Sequence, residues 1–327
     1  MGITKETLLE WLLAHPGEDC SGQTLAQQLG VSRAAVNKAA AALKEEGWQI
    51  TAIPRRGYRL EEGSDALTPQ AIHAFFPGEC PFPQVLVYPS VGSTNEVLKQ
   101  LAAQGARHGT LVVAGEQTAG KGRRGRQFVS PPGGVYFSLL LRPALAASQA
   151  VAVTGSAAVA VRRGVKDLCG KDLDIKWVND LYYQGKKVCG ILTEAATNFE
   201  SGQLDYVIPG IGINISTRPQ EFGPQVSQIA TSLYPTGHSP VSRAALAAAV
   251  ASRLLEMCPT FDYLEEYRAA CFVPGHWVTV QAAGQDPYIA QALSIDDQGQ
   301  LVIRLQDGGI TALGYGEVSI RPAPLDR

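Results

Sequence analysis

Residues 117–128 read QTAGKGRRGRQF, and the fold class of the chain turns on them. They contain the pattern GxGxxG at Gly120, Gly122 and Gly125. In a dinucleotide-binding fold that pattern opens a helix, and an acidic residue follows about 20 positions later. Here the segment VSPPGG follows, which cannot form a helix, and no acidic residue lies between positions 140 and 145. The sequence therefore argues against a dinucleotide-binding fold.

The same segment is a glycine-rich loop with four cations, Lys121, Arg123, Arg124 and Arg126, and no carboxylate. Glycines let backbone amides approach a ligand closely, and the cations suit an anionic ligand such as a phosphate. We expect the loop to order around that ligand. The alternative is a solvated basic loop that contacts RNA or nothing.

A second segment, GSTNEVL at residues 92–98, has two interpretations. Ser93 and Glu96 have the spacing of a capping box at a helix N-terminus. The hydroxyls of Ser93 and Thr94, with the amides of the helix start, could also bind a carbonyl or urea-like ligand group.

Two further segments carry polar groups beside apolar strands. Residues 175–192, IKWVNDLYYQGKKVCGIL, predict a strand, a turn and a second strand, with Lys176, Asp180 and Lys187 near the turn. Burying such charges inside a domain costs free energy unless they are paired or bind a ligand. If the segment is instead a surface hairpin, its charges need neither a partner nor a ligand. Residues 210–215, GIGINI, predict either a close packing contact on a strand or a bulge.

The N-terminal residues follow the pattern of a winged helix-turn-helix. Ser21 and Ser32 can cap two short helices, and Gly30 supplies a left-handed turn between them. Residues 48–60, WQITAIPRRGYRL, predict two strands around a basic turn, which would form the wing. The residues expected to face DNA are Ser32, Arg33, Asn37, Lys38, Arg55 and Arg56.

Downstream, strand and helix patterns alternate, and short strands separated by turns complete the chain. The polar segment at residues 61–69, EEGSDALTP, is a plausible linker. We therefore predict an α/β (α+β) multidomain protein with three parts: a winged helix-turn-helix at residues 1–64, a mixed α/β domain at residues 65–271, and a small β-barrel at residues 272–327.

Composition narrows the class further. The 327 residues are 45% hydrophobic and 18% charged, which is typical of a globular protein. No apolar run reaches the ~18–20 residues of a membrane span. The six cysteines form no CxxC pair and have no histidine cluster beside them, so neither a disulfide framework nor a zinc site is indicated. A cytoplasmic location without membrane contact is expected.

Taken in order, Ser93-Thr94-Asn95, GKGRRGR (120–126), KWVND (176–180), KKVCGIL (186–192) and GIGIN (210–214) resemble the motifs of biotin–protein ligases. With the winged helix and the terminal β domain, the chain resembles the bifunctional bacterial form, a biotin–[acetyl-CoA-carboxylase] ligase that is also the biotin operon repressor. The resemblance implies a central domain like that of class II aminoacyl-tRNA synthetases and an SH3-like C-terminal domain. The sequence departs from the family where Lys121, Phe128 and Val178 replace the common arginine, tryptophan and proline.

The resemblance also implies a reaction and residue roles. Biotin and ATP, with Mg²⁺, would give biotinyl-5′-AMP, and a lysine of an acceptor protein would then receive the biotin. It implies catalytic roles for Lys187, Arg123 and Asp180, with Asp180 also the candidate Mg²⁺ ligand. The implied biotin-binding residues are Ser93, Thr94, Asn95, Gln117, Gly120, Lys121, Gly122, Arg123 and Gly190. The implied ATP- and adenylate-binding residues are Arg123, Arg124, Arg126, Lys176, Asn179, Asp180, Lys187 and Asn214.

The implied partners are the biotin carboxyl carrier protein of acetyl-CoA carboxylase, operator DNA, and a second copy of the chain once the adenylate is bound. Three alternatives stay open at this point. They are a monofunctional ligase that does not bind an operator, a ligand-sensing transcription factor with an inactive ligase core, and a lipoate ligase of the same catalytic fold. The charges at Arg123, Asp180 and Lys187 argue against an inactive core, and the GKGRRGR loop argues against lipoate.

Overall fold

The structure is a computed structural model that describes residues 2–15, 17–45, 47–61, 64–146, 149–197, 202–282, 286–314 and 318–322. The chain divides into two compact units, residues 1–80 with 239–249 and residues 81–238 with 250–327. The boundaries expected near residues 64 and 271 stay predictions, and positions 62 and 63 of the expected linker lie outside the described residues.

The first unit has the predicted helix-turn-helix and wing. Its elements are α1 (Gly2–Ala14), α2 (Gly22–Gln28), α3 (Arg33–Glu45), β1 (Ile50–Ile53), β2 (Gly57–Leu60) and α4 (Pro69–His73). The backbone N–H of Thr24 donates to Ser21 Oγ (3.0 Å), that of Ala35 donates to Ser32 Oγ (3.2 Å), and Gly30 has a φ of 64°. The buried stripe of α3 consists of Val36, Ala39, Ala40 and Leu43. The serine caps and the left-handed Gly30 therefore mark the helix starts and the turn where the sequence predicts them.

The second unit is built on a seven-stranded sheet. Its strands are β3 (Val85–Tyr88), β4 (Leu111–Ala114), β5 (Gly134–Leu139), β6 (Asp174–Lys176), β7 (Asp180–Tyr183), β8 (Lys186–Thr197) and β9 (Leu204–Asn214). The spatial order is β3-β4-β5-β9-β8-β7-β6, with β3 and β4 parallel and the other neighbours antiparallel. The mixed α/β prediction is confirmed.

Helices pack on this sheet, and a second sheet follows it. Helix α5 (Thr94–Ala103) packs on β4, β5 and β9, and α6 (Ala150–Cys169) packs on β8 and β9. The remaining helices are α7 (Gly223–Val226), α8 (Arg243–Met257) and α9 (Leu264–Ala270). The five-stranded antiparallel sheet has the order β13-β12-β11-β10-β14, formed by β10 (Trp277–Ala282), β11 (Tyr288–Ile295), β12 (Leu301–Arg304), β13 (Ile310–Leu313) and β14 (Val318–Pro322). In the described ranges no helix is both long and apolar enough to cross a membrane.

One segment has more structure than its pattern indicates. Residues 175–192 form parts of three strands, β6, β7 and β8, where the alternation predicts two. Gln184 and Gly185 both have positive φ, 50° and 78°, which makes a tight two-residue hairpin between β7 and β8. A second turn joins β6 to β7, so the segment contains two turns where its pattern predicts one.

The packing of α6 depends on a missing side chain. A Cβ at Gly155 would overlap the ring of Tyr263, which lies edge-on against Tyr267 at a centroid distance of 5.8 Å. Both tyrosines are buried. The close approach of α6 to these rings therefore requires glycine at position 155.

We expect Gly155→Ala to lower the free energy of unfolding by about 1–3 kcal/mol, although alanine is the better helix former. The reason is the overlap with the Tyr263 ring, and thermal unfolding followed by circular dichroism would measure it. In the double variant Gly155→Ala, Tyr263→Leu the alanine should cost much less. Equal destabilisation in both backgrounds would show that this overlap is not the cause.

Candidate functional site

A cavity of about 570 Å³ lies on the seven-stranded sheet of the second unit. Fifteen of the sixteen residues expected to bind biotin or nucleotide line it, and Gly120 is the one that does not. The lining members are Ser93, Thr94, Asn95, Gln117, Lys121, Gly122, Arg123, Arg124, Arg126, Lys176, Asn179, Asp180, Lys187, Gly190 and Asn214. Folding thus gathers segments more than a hundred residues apart into one site.

The N-terminus of α5 supplies a polar corner of the cavity. Ser93 is the N-cap residue, but its side chain makes no capping hydrogen bond, so the capping-box interpretation is wrong in this respect. Glu96 instead accepts hydrogen bonds from Lys99 (2.9 Å) and Lys121 (2.7 Å). Thr94 donates from its backbone N–H (2.9 Å) and its hydroxyl (3.2 Å) to Gln117 Oε1. Ser93 therefore lines the cavity without a capping hydrogen bond.

Asn95 lines the cavity too, but its amide is engaged with the protein at both ends. Its Nδ2 donates to Glu194 Oε2 (2.7 Å) and to the Leu192 carbonyl (3.3 Å). Its Oδ1 accepts from the hydroxyl of Ser138 (2.6 Å). Asn95 therefore fastens the start of α5 to β5 and β8.

Side chains of the glycine loop contact three other parts of the second unit. Lys121 pairs with Glu96, Arg123 donates to Asn179 Oδ1 (3.2 Å), and Arg124 donates to the backbone carbonyl of Gln281 in β10 (3.1 Å). The hydrogen bonds from Lys121 and then Lys99 hold the pKa of Glu96 below its usual value. The loop of this structure is thus fastened to α5, to the β6–β7 turn and to the C-terminal sheet.

A lysine–aspartate pair forms the charged part of the cavity. Lys187 Nζ lies 2.6 Å from Asp180 Oδ1, and each side chain is 24% exposed. Lys176 Nζ lies 5.8 Å from the centroid of the Tyr182 ring. Burial, followed by the charge of Asp180, raises the pKa of Tyr182 to about 12, so its hydroxyl stays protonated. A partly desolvated cation next to the loop cations suits a phosphate group.

Glycines make the room for this cavity. Gly190 of β8 and Gly212 of β9 are direct partners in the sheet, and both face the ring of Phe128. A Cβ at Gly190 would lie 2.7 Å from that ring and 3.2 Å from Lys187 Nζ. A Cβ at Gly210 would overlap the amide of Asn95. The close-packing interpretation of GIGIN is the one that the geometry supports.

An unsatisfied acceptor lies in the wall formed by the end of β9. Asn214 is 4% exposed, and its Nδ2 donates to the Thr231 carbonyl (3.0 Å). Among the described residues, its buried Oδ1 has no hydrogen-bond partner. A buried acceptor of this kind is costly unless a ligand supplies a donor.

Several cavity residues were missed as site residues by the sequence analysis. They are Gln127, Phe128, Val129, Trp177, Tyr182, Ile191, Leu192, Gly210, Ile211, Gly212, Phe222, Val226, Ile229 and Ala230. The two glycines carried a signal, because glycine weakens a strand. Ile229 is 63% exposed, and it lies with Phe222, Val226 and Ala230 in residues 217–232, the segment that the family resemblance implies orders over adenine, although the sequence did not single out any of these residues.

Only one carboxylate, that of Asp180, lines the cavity, and the described residues contain no group of three or more potential metal-binding side chains. Mg²⁺ is typically held by one or two carboxylates together with substrate phosphates. The lining is therefore compatible with a Mg²⁺ ion that arrives with a nucleotide, and Asp180 supplies its carboxylate.

The first unit presents the residues expected to face DNA. Ser32, Arg33, Asn37 and Lys38 are exposed at the start of α3, and Arg55 and Arg56 are exposed at the tip of the wing. Arg56 also forms an ion pair with Asp19 (2.5 Å) while its side chain stays 70% exposed. Exposed polar groups at the start of a second helix match the face with which such motifs enter a major groove.

Comparisons with known proteins match a family or domain model to part of each unit. A model of the biotin/lipoate A/B protein ligase family matches residues 87–214, and a helix-turn-helix (HTH) domain model matches residues 4–59. The bifunctional ligase/repressor BirA of Bacillus subtilis (strain 168) is 34% identical over 316 residues, which cover 93% of this chain and 95% of that protein. Its counterpart in Escherichia coli (strain K12) is 31% identical over 319 residues, covering 95% of this chain and 96% of that protein.

Among solved structures, the biotin protein ligase from Aquifex aeolicus in complex with biotin and ATP superposes with a TM-score of 0.62 at 28% identity. It covers 74% of this chain and 100% of that one. The chain therefore belongs to the biotin/lipoate A/B protein ligase family, and its helix-turn-helix domain and its full-length relatives place it among the bifunctional ligase/repressors.

Proposed function

We propose that this chain activates biotin with ATP in the described cavity, transfers it to a lysine of a carboxyl carrier protein, and represses biotin genes when the adenylate is bound. One observation carries the proposal. A single cavity contains a hydroxyl–amide corner at Ser93, Thr94 and Gln117 and a cationic region at Arg123 and Lys187. The hydroxyl–amide corner suits a cyclic urea, and the cationic region suits a carboxylate that approaches a phosphate.

In the first step an oxygen of the biotin carboxylate attacks the α-phosphorus of ATP. The new C–O–P linkage forms as the bond to the β-phosphate oxygen breaks, and pyrophosphate leaves. Repulsion between the carboxylate and the polyphosphate opposes this approach, so cations placed beforehand lower the barrier. Lys187 is the candidate for that role, since Asp180 holds its ammonium at the cavity wall.

A Mg²⁺ ion bound to the triphosphate would neutralise further charge, and Asp180 is the residue that would hold it. Asn179 is fixed on both sides, because its Nδ2 donates to the Ile191 carbonyl (2.7 Å) and its Oδ1 accepts from Arg123. Asn214 would accept a hydrogen bond from the adenine amino group through its unsatisfied Oδ1. The surrounding apolar residues Phe222, Val226 and Ile229 would cover the base.

In the second step the acceptor's lysine amine attacks the carbonyl carbon of the mixed anhydride. An amide bond forms, AMP leaves, and the amine loses its proton. Because Asn95 is bound to the protein at both ends, its proposed part is to hold Ser93 and Thr94 in place. The anhydride supplies the activation, so no covalent bond between biotin and the enzyme is needed.

The proposed repressor function links this site to the first unit by ligand-driven dimerisation. Relatives are named as ligase/repressors, and others as biotin–[acetyl-CoA-carboxylase] ligases. Adenylate would favour a dimer only if it binds the dimer-competent state more tightly. Two winged helices would then bind paired operator half-sites, and the acceptor would compete with the second copy for one surface. The proposed location is the cytoplasm, where ATP and the DNA are.

The first experiment incubates the purified chain with labelled biotin, ATP and Mg²⁺, and assays for a tightly bound biotinyl adenylate. Lipoate in place of biotin serves as the control. Adenylate from biotin alone would support the ligase. Lipoyl adenylate instead would favour the lipoate alternative, and no adenylate from a folded chain would favour a ligand sensor with an inactive core.

Lys187→Ala should lower the rate of adenylate formation by about 100- to 1,000-fold, because the charge facing the carboxylate and the α-phosphate is lost. Biotin-dependent release of pyrophosphate measures that rate. Lys186→Ala removes an exposed lysine one position earlier and should leave the rate close to that of the wild type. Normal pyrophosphate release by Lys187→Ala would contradict the assignment.

Arg123→Gly should let the adenylate escape before transfer, because its guanidinium lines this cavity and a neighbouring one and reaches the β6–β7 turn. Labelling of lysines on an unrelated bystander protein should therefore rise. Blotting with labelled streptavidin would measure it, with Arg107→Gly, an exposed arginine outside the cavity, for comparison. Wild-type selectivity in the Arg123 variant would argue against the assigned role.

Arg33→Ala should raise the Kd for operator DNA about tenfold, since a cation at the start of α3 would contact the major groove. Gel retardation in the presence of biotin and ATP would measure the Kd. Lys44→Ala removes an equal charge from the far end of the same helix and should have a smaller effect. Deletion of residues 1–64 should abolish retardation altogether, and a shift by the truncated chain would refute the DNA-binding role of the first unit.

A further inference from the structure

The wing of the first unit is backed by the segment that joins α1 to α2. The N–H of Cys20 donates to the Tyr58 carbonyl, and the N–H of Tyr58 donates to the Cys20 carbonyl, both at 2.9 Å. The Gly17 N–H donates to the Leu60 carbonyl (2.9 Å). Asp19 lies between these two points of attachment, so its backbone is held beside β2.

The carboxylate of Asp19 is buried against two arginines of the wing. Its side chain is 11% exposed, its Oδ2 lies 2.5 Å from Nη2 of Arg56, and its Oδ1 lies 3.6 Å from Nη1 of Arg59. Among the described residues neither oxygen has a hydrogen-bond partner, so these contacts are ion pairs without a directed hydrogen bond. Arg59 is also paired with Glu61 (3.3 Å), which makes Arg56 the closer counter-charge of Asp19.

The burial of this ion pair is one-sided. The side chain of Arg56 is 70% exposed at the tip of the wing, whereas the carboxylate of Asp19 is shielded from water. An ion pair with both groups exposed contributes little to stability, but removing the counter-charge of a buried carboxylate is costly. Arg56 could turn to a DNA phosphate only by leaving that buried charge behind, so we expect it to stay with Asp19.

This pairing bears on the affinity of the first unit for DNA. Proteins gain affinity for DNA of any sequence from cations that neutralise phosphates and release the counterions condensed on them. An arginine that a carboxylate has already neutralised releases few counterions, and the carboxylate itself repels the phosphates. Arg56 therefore contributes little affinity, although it is exposed on the face that is expected to contact DNA.

We propose that Asp19 is a built-in counter-charge that lowers the affinity of the first unit for DNA by neutralising Arg56. Because contacts to phosphates carry no sequence information, its effect is the same on every DNA sequence. A single copy of the chain then binds DNA weakly, and stable binding depends on the pairing of two copies. This inference rests on the proposed DNA-binding role of the first unit and assigns to it a residue that opposes binding.

The test compares the full-length wild type with Asp19→Asn, which keeps the size of the side chain and removes its charge. Fluorescence anisotropy with a labelled duplex of random sequence, without biotin or ATP, gives the Kd at salt concentrations between about 50 and 200 mM. In the variant the Kd should fall about fivefold at the lowest salt, because Arg56 becomes available to a phosphate. The slope of log Kd against log salt should steepen by about 0.9, the value for one further phosphate contact.

Two further variants separate this effect from net charge and from positioning. Asp172→Asn removes an equal charge from the second unit, where Asp172 pairs with Lys166 (2.5 Å), and it should bind as the wild type does. The double variant Asp19→Asn, Arg56→Gln lacks both charges and should return to the Kd and the slope of the wild type. If Asp19 instead positioned Arg56 for a DNA contact, Asp19→Asn would weaken binding and the double variant would not restore it.

An unchanged or higher Kd in a folded Asp19→Asn variant would overturn this inference and leave the DNA-binding role intact. An equal gain in affinity in Asp172→Asn would overturn it too, since net charge alone would then be the cause. Thermal unfolding checks the fold, and if the asparagine variant does not fold, Asp19→Ser takes its place with the same expected Kd and slope. A wild-type chain that binds no duplex even with biotin and ATP would overturn the DNA-binding role together with this inference.

Discussion

A gap in the side-chain layer of the seven-stranded sheet is the constraint on which the site depends. Gly190 and Gly212 lie opposite each other on β8 and β9, and Gly210 lies on the same face. Without side chains there, Phe128 and Asn95 can approach the strands, and a cavity remains beside them. A Cβ at any of the three positions would displace the ring, the amide or Lys187. The cavity therefore depends on the absence of side chains at these three positions.

Around this gap, polar side chains are held mainly by other protein groups. Lys187 is fixed by Asp180, and Asn95 by Glu194 and the Leu192 carbonyl. Groups whose partners are already in place need little reorganisation when a charged or polar ligand arrives, which is the general advantage of a preorganised site. The unsatisfied Oδ1 of Asn214 is different, because its partner must come from the ligand.

Much of the architecture was predictable from short-range signals. Serine caps, the left-handed Gly30 and the basic wing identified the helix-turn-helix, because each depends on backbone geometry within a few residues. The glycine loop was separated from a dinucleotide-binding motif by the prolines after it. The capping box at Ser93 had the same kind of local signal and failed, because Lys99 and Lys121 compete for Glu96. The sequence analysis also missed β7, between residues 175 and 192, because this strand has only four residues and lies between two tight turns.

By itself, then, the sequence determined the element types, the order of the motifs, and through their resemblance the family and the reaction. Only the tertiary structure decided which glycines leave the cavity open, that Arg124 reaches Gln281, and that Gln117 lies between Thr94 and Ser130. The physical reason is distance along the chain. Caps and turns are closed by neighbours, whereas the direction of a buried hydrogen bond depends on groups that meet only when strands and loops from separate segments pack together.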